Sequence, residues 1–87
     1  MRSASPPSSK GAAEQKFLAQ VVEIIAAWSP KEASKELTNW GGWWRNRYRE
    51  NPDKAHKILA EVRVLIREQR ITGTPGAAAG DLWKRLP

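Results

Sequence analysis

The stretch Trp40-Gly41-Gly42-Trp43-Trp44-Arg45-Asn46-Arg47-Tyr48-Arg49 gathers three of the chain's five tryptophans, its only tyrosine and three arginines. Aromatic rings offer faces on which an unpaired base or a peptide proline stacks, and guanidinium groups are forked donors suited to phosphate. At about 100° per residue, Trp40, Trp43, Trp44 and Tyr48 share one helical arc, while Arg45 and Arg49 point the other way. Arg47 falls inside the aromatic arc, where its guanidinium can lie against an indole. The same spacing describes a buried stripe with a solvated arginine back, since large aromatics dominate core burial in a small domain. An aromatic platform of Trp40, Trp43, Trp44 and Tyr48 and an ordinary core stripe are thus two readings of one pattern.

A second constellation follows Pro52. On a helix, His56, Arg63, Arg67 and Arg70 cluster within about 60° of arc. The acids Asp53, Glu61 and Glu68 fall to one side, where Lys57 can pair with Asp53 and Glu61 at four-residue spacing. The arginine ridge is therefore incompletely neutralised within its own helix, and Lys84 and Arg85 add positive charge further on. A solvated face that also favours the helix dipole through Arg67 and Arg70 is the plainer reading. The chemical one makes Arg45, Arg49, Arg63, Arg67, Arg70, Lys84 and Arg85 phosphate contacts.

Charge favours the second reading. Fifteen Lys and Arg against nine Asp and Glu give a net charge of +6 and a pI near 10.2. A domain this small and basic suits a polyanion, most simply nucleic acid, with no indication of DNA against RNA or of sequence preference. The alternative is a protein-interaction module, in which an aromatic surface around Trp40, Trp43 or Trp83 docks a partner or pairs two copies. A third reading makes the chain a piece of a larger protein that its basic face contacts.

Other chemistry finds little support. One histidine and no cysteine exclude the usual His-paired nucleophiles, disulfides, thiolate zinc sites and His-cluster metal sites. The carboxylates at Glu32, Glu36, Asp53, Glu61, Glu68 and Asp81 stand at caps or among cations, leaving no acid–base pair. Gly41-Gly42 lacks the Gly-Lys-Ser/Thr ending of a phosphate-binding loop. The pair reads instead as a tight turn, a close helix crossing, or open backbone amides at a helix start. The sequence thus predicts no catalysis, cofactor or metal.

The elements that must position these residues are helical. Eighty-seven residues allow one core. Residues 1–11, MRSASPPSSKG, are too poor in apolar side chains to order themselves, and read as a disordered basic tail before a single helical domain over 12–87. Arg2, the serines and the absence of acid before Glu14 also fit an organelle transit peptide, which Pro6-Pro7 opposes. No secretory hydrophobic region is present, and the longest apolar run, Ile24 to Trp28, is far short of a membrane span. The expected setting is inside the cell, in cytoplasm, nucleoid or nucleus.

Ser29-Pro30, Asn51-Pro52 and Thr74-Pro75 each set a capping residue before a proline, a helix-start signature. Ser29 with Glu32 further resembles a capping box. The expected helices are Ala13 to Trp28, apolar over more than half its circumference, and one opening at Pro30. A third runs from Pro52 to about Gln69 on Ala55, Ile58, Leu59, Val62, Leu65 and Ile66, and a last from Pro75 to about Leu86. Gly41 and Gly42 cost about 1 kcal/mol each inside a helix. The preferred division of residues 31–50 is therefore a helix to Leu37, a turn, and a new helix capped by Thr38 or Asn39. That division invites comparison with a helix-turn-helix. The expected fold is an all-α bundle of four short helices, or five if residues 31–50 divide.

Overall fold

In the computed structural model, which describes residues 8–87, four helices and no strands are present among the described residues. They are α1 (Ser8–Trp28), α2 (Ala33–Glu50), α3 (Pro52–Arg67) and α4 (Pro75–Arg85). The expected all-α bundle is observed. The expected tail lies outside the described residues over 1–7, and α1 begins at Ser8.

Helix α1 packs chiefly on α2 and also on α3, while α4 lies mainly against α3 and reaches α2. The core is built from Phe17, Val21, Ile24 and Ile25 of α1, Trp44 of α2, Ala55, Ile58, Leu59 and Val62 of α3, and Ala79 of α4. The buried stripe of α1 is narrower than its composition suggests, because Val22 is 44 % exposed. Leu65 and Ile66 of α3 are only partly buried, Leu65 lining a groove against α4.

Two caps form as the sequence implies. The Asn51 side chain accepts from the Lys54 amide at 3.1 Å, and the Thr74 hydroxyl accepts from the Ala77 amide at 3.2 Å. The capping box does not form. The Ser29 amide already donates to Ile25 O at 2.9 Å as α1 runs out, so no orphan donor awaits Glu32. Glu32 itself stands in front of α2 with helical backbone and no side-chain cap.

The largest departure is α2, which continues unbroken through Gly41 and Gly42. Thr38 caps nothing there; its hydroxyl donates to Ser34 O at 2.9 Å within the same helix. Magnitudes explain the outcome. Two glycines cost roughly 2 kcal/mol of helix propensity. Burying a single indole removes about 150–250 Å² from water, worth about 4–6 kcal/mol, and Trp44 is fully buried. An unbroken α2 keeps Leu37, Trp40, Trp44 and Tyr48 along the packed side, so tertiary burial overrides local preference. The helix-turn-helix comparison loses its turn.

Helix α3 ends at Arg67, slightly before the expected Gln69. Gln69 takes the left-handed conformation at φ 56°, the Arg70 amide donates to Leu65 O at 2.8 Å, and the Gln69 amide donates to Ile66 O at 3.1 Å. That pair of bonds is the Schellman arrangement, here closed by glutamine where glycine is usual.

Candidate functional site

The aromatic segment of α2 divides between core and surface. Trp44 is wholly enclosed, packed beside Phe17 and Trp43, and its indole N–H has no acceptor among the described residues. It therefore cannot belong to a binding platform, and that expectation is corrected. Tyr48 is partly covered, stacked at 4.7 Å on Phe17 and edge-on to His56, which is itself exposed. Trp40 is also partly covered and lies across the start of α4, where a Cβ on Gly76 would overlap its five-membered ring.

Gly76 carries a second contact. Its amide, among the unpaired donors at the N-terminus of α4, donates to the buried Glu36 carboxylate at 2.6 Å. Trp40 and Glu36, one turn apart on α2, thus clamp the first turn of α4. Neither Gly41 nor Gly42 has any such neighbour, so they make neither a turn, a close crossing nor a helix start.

Trp43 and Trp83 remain partly exposed, edge to face with ring centres 6.2 Å apart. Three cations gather around them. The Arg47 guanidinium carbon sits 5.8 Å from the Trp43 ring centre and 5.7 Å from that of Trp83. Lys54 Nζ lies 4.3 Å from the Trp83 centre. Lys84 lines the same shallow depression as Trp43, Arg47 and Trp83. Arg47 also pairs with Glu50 at 3.1 Å, whereas Lys54 and Lys84 have no carboxylate partner among the described residues. The surface is assembled from the C-terminal half of α2, the first turn of α3 and the last turn of α4.

The remaining sequence-nominated cations are dispersed. Arg49 forms a two-bond fork on Glu14 of α1, at 2.7 and 3.2 Å, with Arg45 3.9 Å from the same carboxylate. The Arg49 hydrogen bond, reinforced by the charges of Arg49 and Arg45, holds the Glu14 carboxyl below its ordinary pKa against the opposing effect of burial. Arg63 and Arg67 flank a groove between α1 and α3 that also contains Glu23. Arg70 pairs with Glu68 at 3.2 Å and Arg85 with Asp81, both facing a groove between the end of α3 and α4 that Glu61 also lines. The seven phosphate candidates therefore occupy several surfaces rather than one ridge, and only Arg63, Arg67 and Lys84 lack an ion pair among the described residues.

Lys54 has no place in the sequence reading of the site. Its register belongs to the helix after Pro52, while Arg47 belongs to the one before, so no single helical wheel aligns them. The Asn51-Pro52 junction was the available signal, since it brings the first turn of one helix beside the last turn of its neighbour. Among the described residues there is no grouping of His, Asp and Glu able to hold a metal ion, and no helix is long and apolar enough to cross a membrane. No protein-family model, curated protein or solved structure matches the chain.

Proposed function

We propose that this chain is a small, non-enzymatic nucleic-acid-binding helical module. The reading rests above all on the Trp43–Trp83 surface, where two partly exposed indoles stand among Arg47, Lys54 and Lys84. Stacking faces and cations within one side-chain length suit a ligand that alternates flat bases with phosphates. The net charge of +6 adds long-range attraction for a polyanion. Arg63 and Arg67 are secondary phosphate contacts, because their groove shares the positive charge and lacks an aromatic. Arg45, Arg49, Arg70 and Arg85 contribute less, their guanidinium groups being engaged by carboxylates.

Fluorescence anisotropy of labelled single-stranded and duplex oligonucleotides across a salt series tests the proposal. Affinity should fall with a log–log slope of about −0.7 to −0.9 for each phosphate contacted. Absence of binding to either form at low salt overturns it. So does salt-insensitive capture of a protein partner that is lost on substituting Trp83 while oligonucleotides do not bind.

A further inference from the structure

Resting on that reading, we infer that the Trp43–Trp83 surface takes unpaired nucleotides: an indole stacks on a base while Lys54 and Lys84, which have no carboxylate partner among the described residues, hold the flanking phosphates. Single strands therefore bind in preference to duplex. In a duplex each base face is covered by its neighbours, so a partly exposed indole meets only sugar and phosphate. An unpaired strand exposes base and phosphate together, matching the interleaving of ring and cation at this surface.

The cation nearest the ring is not an obstacle. Lys54 sits over Trp83 at 4.3 Å on a flexible stem. A cation–π contact between partly exposed groups is worth a factor of about 2–30 in equilibrium terms, against about 5–150 for stacking a base. A base can displace the ammonium, which then turns to the adjacent phosphate. The opposing geometry, a helix laid in a duplex groove, is poorly served. The exposed side of α3 mixes Asp53 and Glu61 with its cations, and Arg45 and Arg49 of α2 face Glu14. The Arg63–Arg67 pair lies towards the far end of α3 from Lys54, about 13–20 Å away along the axis.

The test titrates the full chain with a mixed-sequence strand and with its duplex at the same salt concentration. The strand should bind at least about tenfold more tightly and quench tryptophan fluorescence. Trp83→Ala should weaken strand binding by roughly 5- to 150-fold and leave duplex binding within about twofold, with circular dichroism confirming that the helices persist. If that variant unfolds, the Lys54→Gln, Lys84→Gln double variant decides. It should lower the single-strand salt slope by about 1.4, two phosphate contacts at about 0.7 each. Equal binding of both forms, unaffected by these substitutions, overturns the inference and leaves the broader nucleic-acid reading standing. Binding of neither form, or salt-independent binding of a proline-rich peptide in their place, overturns both.

Discussion

Single side chains decide more here than their types suggest. Gly76 is a helix residue whose missing Cβ is filled by Trp40 and whose amide is held by Glu36. Gly76→Ala forces the indole or the first turn of α4 to shift, and should destabilise the fold by about 1–3 kcal/mol in urea unfolding. The Glu14–Arg49 fork gives a pH signature of known sign. Because the Glu14 pKa is depressed in the folded chain, its contribution is present in full above the unfolded value of about 4.3 and is lost as pH falls through the lower folded value. The stability difference between the wild type and Arg49→Ala should therefore be constant near neutrality and shrink in acid. A difference that grows in acid contradicts the pairing.

At the scale of elements, α2 carries the clearest prediction. Gly41 and Gly42 sit in a helix that needs no glycine, since nothing lies within 4 Å of a Cβ at either position. Gly41→Ala and Gly42→Ala should each stabilise the chain by up to about 1 kcal/mol, opposite in sign to Gly76→Ala, as thermal melts of the three variants would show. The sequence could be read where information is local. Asn51-Pro52 and Thr74-Pro75 mark helix starts because a side-chain oxygen and a fixed φ act within one turn. The apolar spacing of Ala55, Ile58, Leu59 and Val62 gives the core face of α3 for the same reason. It was not legible where distant residues decide. Gly41-Gly42 looks like a break until Trp44 is seen buried against Phe17, and Ser29–Glu32 looks like a box until α1 supplies the bond that it would have made.

For the molecule as a whole, neither the composition nor the helical wheel of one element locates the candidate site. A net +6 is a property of the chain, but its cations reach the surface on several faces, four of the seven nominated ones tied to carboxylates. Among the described residues, two indoles and three cations converge where α2, α3 and α4 meet, a junction that no single segment encodes. The central claim is that the indoles at this junction face the ligand. It is tested most directly by following the five tryptophan indole N–H resonances while an unlabelled oligonucleotide is added to isotopically labelled protein. The account predicts that the Trp83 and Trp43 signals move and saturate together while that of enclosed Trp44 stays nearly fixed. Saturation of binding with the Trp43 and Trp83 signals unmoved would contradict it.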